Sequence, residues 1–217
     1  MKWSGRDRDG EKRGYHHGNL KAALMEAALR LIAEKGPDGL TLAEIARLAR
    51  VSPAAPYRHF KDREALLVEV AKRGFEVFSA RLEAAWNQGS PTPGRAFENV
   101  GRAYLGFARE EPAYFAAMFE AGLSAKQHPD LQTAGDRAFG VLRAAAESLA
   151  AGLPGREKAP AAMIGLHVWA LSHGIAALFA KSGAVRPPFP ASPEELLESG
   201  VLIYLRGLGL MMSERAK

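Results

Sequence analysis

Cysteine is absent from this chain of 217 residues. Without a thiol, the chain has no disulfide scaffold, no Cys-ligated zinc or iron–sulfur site and no thiol nucleophile. The absence also fits a reducing compartment. Alternating runs of β-branched or aromatic residues are missing too, and Ala, Leu, Arg and Glu dominate throughout. The chain is therefore predicted to form helices and no strands.

Enzyme signatures are equally scarce. We find no HExxH, no P-loop, no GxSxG and no dinucleotide-binding glycine pattern. The adjacent carboxylates of Glu110-Glu111 and Glu194-Glu195 lie where a helix ends and where another begins, which does not suggest a catalytic pair. We therefore predict a protein that is not an enzyme, with no catalytic residues, no metal site and no cofactor.

The net charge of +5 is unevenly distributed. Residues 1–63 carry 13 Lys and Arg against 8 Asp and Glu, whereas residues 64–217 carry 16 of each kind. A basic module on a neutral body fits a module that meets a polyanion. A solvated basic tail would give the same asymmetry, and charge alone does not separate the two interpretations.

Two segments bear on the membrane question. Residues 1–20 are polar and hold no apolar run that could serve as a signal peptide. Residues 159–180 contain no Asp, Glu, Lys or Arg and are long enough to span a bilayer. They also hold His167, Ser172 and His173 among weakly apolar alanines. We expect a helix buried on most sides, inside the protein or at a subunit interface, and a cytoplasmic protein with no membrane partner.

Apolar periodicity, capping residues and Gly/Pro breaks predict an all-α chain of about nine helices. Thr41 to Glu44 and Ser192 to Glu195 form capping boxes, and Ser52-Pro53 is typical of the N-cap and first residue of a short helix. The expected ranges are 19–35, 42–48, a short third helix from 53, a long helix after Asp62, 95–109, 112–121, 129–151, 157–181 and 193–212.

The first three helices, within residues 19–60, have the layout of a helix-turn-helix. A tight turn at residues 49–51 joins the second and third helices, and the third could enter the major groove of DNA. Apolar positions of the second helix and the turn would pack on the first helix. The outer face of the third helix would stay free, with Ala54, Ala55, Tyr57, Arg58, His59 and Lys61 on it or at its end.

Residues 41–60, TLAEIARLARVSPAAPYRHF, followed by KDREALL, closely resemble the DNA-binding signature of TetR-type transcriptional repressors. Residues 15–20, YHHGNL, look like the segment that precedes it in this family. Trp169 with His173-Gly174 resembles the Trp…His-Gly pattern of one C-terminal subgroup. The resemblance divides the chain into a basic arm (1–17), a DNA-binding domain (18–78, motif 41–60) and a helical effector-binding and dimerisation domain (79–217).

The resemblance also implies roles for single residues. Tyr57, His59 and Lys61 match positions that hold phosphates, as Thr41 would at a helix N-terminus. Arg58 could pair with guanine, and Ala54 or Ala55 could touch a thymine methyl. Packing is the alternative for Tyr57 and is favoured for Phe60. The expected DNA contacts are Thr41, Arg50, Ser52, Ala54, Ala55, Tyr57, Arg58, His59 and Lys61.

In the family resembled, the body binds a small effector and dimerises through its last two helices, here about 157–181 and 193–212. Candidate pocket residues are Phe97, Tyr104, Phe107, Phe115, Met118, Phe119, Phe139, His167 and His173, although ordinary core is favoured for most of them and a core or interface position for the two histidines. The acid-free stretch 159–180 indicates an uncharged, anionic or apolar effector.

These features predict a homodimeric repressor that leaves a palindromic double-stranded operator when a small molecule binds. A helical carrier or enzyme with a vestigial DNA-binding module is the alternative from another class. Activation of transcription would leave the same sequence pattern as repression.

Overall fold

A computed structural model describes residues 20–151, 160–180 and 190–208. Within these ranges the chain is all-α, as predicted, with eight α-helices and no strand. The basic arm, the YHHGNL segment and the expected helix ends at 157, 181 and 212 lie outside the described residues. The helices are α1 (Leu20–Lys35), α2 (Leu42–Leu48), α3 (Arg63–Trp86), α4 (Pro93–Glu110), α5 (Pro112–Phe119), α6 (Pro129–Ala151), α7 (Ala161–Ala180) and α8 (Pro193–Gly207).

Side-chain caps set several of the helix starts. At α2, the Thr41 hydroxyl accepts a hydrogen bond from the Glu44 N–H at 3.3 Å, and the Glu44 carboxylate accepts one from the Thr41 N–H at 3.1 Å. The same reciprocal pair joins Ser192 and Glu195 at α8. Each box satisfies two backbone donors that the helix leaves free. Both capping boxes were predicted, and both are confirmed.

The expected third helix is wrong as an α-helix. Residues 53–55 form turns, and a single 3₁₀ turn, Pro56–Arg58, follows. Its backbone bonds run mainly from residue i to i−3, as from the Arg58 N–H to the Ala55 carbonyl at 3.2 Å. Pro56 has no N–H to donate, and its ring would clash with the carbonyl of Ser52 in an α-helix. The two prolines therefore replace a regular helix with a short, tight segment.

Helix α3, 24 residues long, joins the two parts of the molecule. It packs with α1 on the N-terminal side and against α4, α5 and α6 in the rest of the molecule. One continuous hydrophobic core extends along it, from Leu66 and Leu67 near its start to Phe78 and Leu82. A displacement of α3 would thus be felt at both ends of the protein.

Helix α7 has one face in the core and one in solvent. Its length and composition, over Ala161–Phe179, would suffice for a membrane span, the single such helix among the described residues, and 33% of that window is buried. Ile164 and Val168 face inward, whereas Met163, Leu166 and Leu178 are exposed. Among the described residues, α4, α6 and α8 cover one side of α7, so the interior of one chain accounts for only part of the expected burial. Burial of the other side at a subunit interface stays a prediction.

Candidate nucleic-acid interface and ligand cavity

The turn after α2 ends the helix in a Schellman motif. Arg50 adopts a left-handed conformation with φ of 57°, its N–H donates to the Arg47 carbonyl at 3.2 Å, and the Val51 N–H donates to the Ala46 carbonyl at 3.0 Å. Glycine is the usual residue at this position because a Cβ is strained there. An exposed arginine holds it here, so the turn carries both backbone strain and a positive charge.

The segment after the turn presents most of the predicted DNA contacts to solvent. Tyr57 is 63% exposed, which argues against the packing alternative, and Phe60 is buried in the core, as favoured. Ala55 corrects the expectation, because it is only 7% exposed and its methyl lies in the core instead of facing a base. The exposed members are Ser52, Ala54, Tyr57, Arg58, His59 and Lys61.

Thr41 is exposed, but its hydroxyl is already engaged by Glu44. The Glu44 carboxylate also accepts from the Lys35 ammonium at 2.6 Å. These bonds, the one from Lys35 first, lower the pKa of Glu44. A carboxylate therefore occupies the N-terminus of α2, where a phosphate was expected, and a phosphate would have to compete with it.

A cavity of about 340 Å³ opens between α3, α5, α6 and α7. Of the predicted pocket residues, Met118, Phe119 and Phe139 line it. Sequence reasoning missed Phe75 and Phe78, three residues apart on α3, although their spacing marks one helix face. The full lining is Phe75, Phe78, Met118, Phe119, Leu123, Ala125, Leu131, Gln132, Gly135, Asp136, Ala138, Phe139, Leu142, Leu166 and Trp169.

The other predicted pocket residues do not line this cavity. Phe97, Phe107 and Phe115 are buried side chains of the core. His167 is exposed, and its Nδ1 lies 2.8 Å from the Tyr204 hydroxyl, so that it joins α7 to α8. Core packing, the alternative considered from the sequence, describes the three phenylalanines.

Behind the cavity wall, Tyr104, Trp169 and His173 form a short hydrogen-bond chain. The Trp169 Nε1–H donates to the Tyr104 hydroxyl at 3.1 Å, and this hydroxyl lies 2.9 Å from Nδ1 of His173. Burial raises the pKa of the Tyr104 hydroxyl. Burial also lowers the pKa of His173, and this effect outweighs the carboxylate of Glu120, which raises the pKa of the imidazole. A protonated tyrosine can then donate to Nδ1 of a neutral imidazole while its oxygen accepts from Trp169. His173 therefore has a side-chain partner at Nδ1.

The start of α6 connects the cavity with the DNA-binding part of the chain. His128 Nε2 lies 2.7 Å from a carboxylate oxygen of Glu64, in the first turn of α3. Further along α3, Nζ of Lys72 lies 3.4 Å from Oδ2 of Asp130. Leu131, which directly follows these contacts, lines the cavity. Movement of the cavity wall at α6 would thus reach the first turn of α3, two residues after Lys61.

Two family models match the chain, one in its N-terminal part and one in the helical body that follows. Residues 24–70 match the family described as bacterial regulatory proteins, tetR family, and residues 97–203 match the tetracyclin repressor-like C-terminal domain. The chain belongs to the TetR family of transcriptional regulators. TetR proteins are DNA-binding regulators and not enzymes, so the predicted helix-turn-helix and the predicted lack of enzyme activity are confirmed.

Solved structures share the fold over nearly the whole chain. A protein of unknown function from Rhodococcus sp. RHA1 is 32% identical, with a TM-score of 0.76 over 91% of this chain and 99% of the other. The TetR regulator PfmR of Thermus thermophilus is 25% identical, with a TM-score of 0.66 over 85% and 98%. AibR, solved with isovaleryl coenzyme A and operator DNA, is 18% identical and shares the fold, with a TM-score of 0.64 over 85% and 97%.

A curated relative matches over a shorter span. YobS of Bacillus subtilis, an HTH-type transcriptional regulator, is 26% identical over 101 residues, or 46% of this chain and 51% of YobS. The chain thus spans about half of the length of this relative.

Proposed function

We propose that this TetR regulator is a homodimeric, cytoplasmic repressor that binds a palindromic operator and leaves it when a small molecule enters the body. The observation that carries the proposal is the row of exposed donors from Tyr57 to Lys61, held by a buried Phe60. This row follows the helix and turn of a DNA-binding module. Exposed donors on such a module are available to DNA, because water is the group that they would exchange for a phosphate or a base.

The proposed DNA contacts divide into those that position the protein on the duplex and those that read its base sequence. Tyr57, His59 and Lys61 would hold phosphates, which fixes the module on the duplex without reading sequence. Arg50, at the strained turn, would add a further positive charge near the DNA backbone. Arg58 is the longest donor beside them and would pair with a guanine edge in the major groove. With Ala55 buried, Ala54 is left to contact a thymine methyl.

Dimerisation would occur through α7 and α8. Met163, Leu166 and Leu178 on α7 and Ile203 on α8 are large apolar side chains exposed in the single chain. The described part of α7 carries no Asp, Glu, Lys or Arg. An apolar face of this kind is typical of a subunit interface. A two-fold dimer would present two DNA-binding modules to half-sites about one helical turn, ~34–36 Å, apart.

The effector would act through the cavity. AibR, with the same fold, was solved with both a small molecule and operator DNA. Here the cavity wall reaches the DNA-binding part through the contacts of His128 with Glu64 and of Asp130 with Lys72. A ligand that binds better when α6 is displaced would shift the population away from the conformation that fits the operator. Release from the operator then follows because the ligand binds one conformation of the protein more tightly than the other.

Selection of bound sequences from a random duplex pool tests the proposal. We expect a palindromic consensus with half-sites about one turn apart. The Arg58→Ala variant should relax the preference at one position in each half-site, while Arg73→Ala, an exposed position on α3, should not. Binding that is sensitive to salt but yields no consensus would contradict the proposal and favour a helical carrier. Transcription of a reporter behind the consensus, with and without the protein, separates repression from activation.

A further inference from the structure

The lining of the cavity has an unusual combination of groups. Five aromatic side chains, those of Phe75, Phe78, Phe119, Phe139 and Trp169, surround it. The lining holds one carboxylate, Asp136, and one amide, Gln132, but no Lys, Arg or His among its described residues. Among the lining residues that the structure describes, an effector with a phosphate or carboxylate would therefore find no counter-charge, and this departs from the anionic option left open by the sequence.

The two polar residues lie at the mouth of the cavity, since both are exposed and both line it. They are four residues apart on α6, and Gln132 Nε2–H donates to Asp136 Oδ1 at 2.7 Å. This bond orients the pair and leaves two acceptors, Asp136 Oδ2 and Gln132 Oε1, and one donor, the second Nε2–H of Gln132. A ligand group that meets the two acceptors must be a donor or a cation.

The charge of Asp136 is not cancelled by its neighbours. No Lys, Arg or His in the part of the chain that the structure describes pairs with it. The nearby cations have other partners: Lys72 meets Asp130, and Arg137 lies 3.9 Å from Glu83. A bound cation would therefore gain an attraction that the free protein does not already use.

Aromatic rings lie on and against the part of α6 that carries Asp136. Gly135 precedes Asp136, and a Cβ built on it would lie 3.7 Å from the Phe75 ring. Phe139 follows three residues later on the same helix, with its ring centroid 5.9 Å from that of Trp169. Ring faces attract organic cations, most strongly when water is excluded. A carboxylate at the mouth and rings inside suit a molecule with a charged end and an apolar body.

We propose that this cavity binds an apolar organic cation, with its ammonium group at Asp136 and its hydrocarbon part among the rings. The inference rests on the proposed role of the cavity as the effector site and assigns the effector's chemical class. The volume of about 340 Å³ suits a small ligand rather than a coenzyme.

Calorimetric titration of the full-length protein without DNA tests the class of ligand directly. The probes are hexyltrimethylammonium, hexan-1-ol and hexanoate, which share one chain length and differ in charge. We expect the cation to bind about tenfold more tightly than hexanoate, because only the cation meets the carboxylate and the rings favourably. Raising the salt concentration should narrow this difference, because Asp136 is exposed.

Matched variants locate the binding. Asp136→Asn keeps the acceptor for Gln132 and should weaken binding of the cation about fivefold while leaving the affinity for hexan-1-ol unchanged. Asp130→Asn, a neighbouring carboxylate that does not line the cavity, should leave all three probes unchanged. Gly135→Leu should fill the space beside Phe75 and abolish binding of all three.

Equal or tighter binding of hexanoate, or an Asp136→Asn variant with full affinity for the cation, would overturn the proposal. A separate titration against the selected operator distinguishes this failure from failure of the proposed function. If an anionic or neutral compound alone releases the operator, the cation class is wrong and ligand-controlled repression stands. If the cation binds through Asp136 without weakening operator binding, the class is right and the effector role of the cavity is wrong.

Discussion

The Tyr104 hydroxyl lies 2.9 Å from Nδ1 of His173 and joins α4 to α7 in the interior of the body. The imidazole also stacks on Phe115, with a centroid distance of 5.4 Å, and meets the edge of Phe119 at 4.9 Å. Phe119 and Trp169 line the cavity, so the hydrogen-bond chain supports the cavity wall from behind. Its integrity affects both the stability of the body and the shape of the cavity.

Replacing Tyr104 by Phe should lower the free energy of unfolding by about 1–3 kcal/mol, because Nδ1 of His173 and Nε1–H of Trp169 lose a partner in a region with little water. Urea denaturation followed by circular dichroism measures the change. Tyr57→Phe is the matched control, since its side chain is 63% exposed and water can replace the hydroxyl. An equal loss in both variants would contradict the assigned role of Tyr104.

The stability of the body should also depend on pH through His173. Burial lowers the pKa of this imidazole in the folded state, so below its ordinary value the unfolded chain binds more protons than the folded one. The contribution of neutral His173 to the free energy of unfolding is therefore present above the ordinary pKa of 6.5. It is lost as the pH falls from 6.5 toward the lower pKa of the folded protein. We expect His173→Asn to reduce the loss of stability between about pH 7.5 and 5.5. Identical pH profiles for variant and wild type would disprove the assignment.

Arg50→Gly should separate folding from DNA binding. Glycine relieves the strain of a left-handed residue, so the free energy of unfolding should rise by up to about 1 kcal/mol. Loss of the charge should nevertheless weaken operator binding and reduce the slope of log K against log salt by about 1. Arg50→Ala is the control, because it loses the charge but keeps the strain. A glycine variant with full operator affinity would remove Arg50 from the interface.

Tyr57→Phe and Lys61→Ala should weaken binding to every DNA sequence alike. Both side chains are exposed and are proposed to hold phosphates, which carry no sequence information. The lysine variant should reduce the salt slope by about 1, and the tyrosine variant, which removes only a hydroxyl, should reduce affinity with a smaller effect on the slope. Fluorescence anisotropy at several salt concentrations, with operator and unrelated duplexes, makes the comparison. A change confined to the operator would indicate base reading.

Ile203→Glu should convert the protein to a folded monomer. Ile203 is 72% exposed in the single chain, so a glutamate there costs little in the monomer but would be buried without a partner in the dimer. Light scattering should show half of the wild-type mass, with an unchanged circular dichroism spectrum and operator affinity reduced more than about tenfold. Ala84→Glu, exposed on α3, places the same charge away from the interface and should stay dimeric.

Features set by a few neighbouring residues were predictable from the sequence. The range 42–48 of α2 and both capping boxes follow from side chains within three or four residues of each other. Features set by distant packing were not. Whether Phe75 or Phe97 faces the cavity depends on how α3 and α4 lie against α6, and periodicity gives only a shared helix face.

One error has a specific physical cause, and one expectation stays untested. The sequence pattern fits Pro53 and Pro56 into one short helix, but the second ring and its missing N–H prevent an α-helical bond to Ser52. The apolar composition of α7 predicts burial, although the single chain leaves one of its faces in solvent. The sequence analysis also predicts a subunit interface at this helix, and a second chain is needed to test that prediction.

Pro53 and Pro56 also bear on how quickly the protein can engage DNA. A proline ring fixes its backbone φ near −65°, so these positions have few conformations to lose. The segment that carries Tyr57 to Lys61 is therefore ordered during folding, and docking needs little further loss of conformational entropy. We expect association to be limited by electrostatic steering from the basic module rather than by rearrangement of the reading segment. Differences in affinity between operators should then lie mainly in how long the complex lasts.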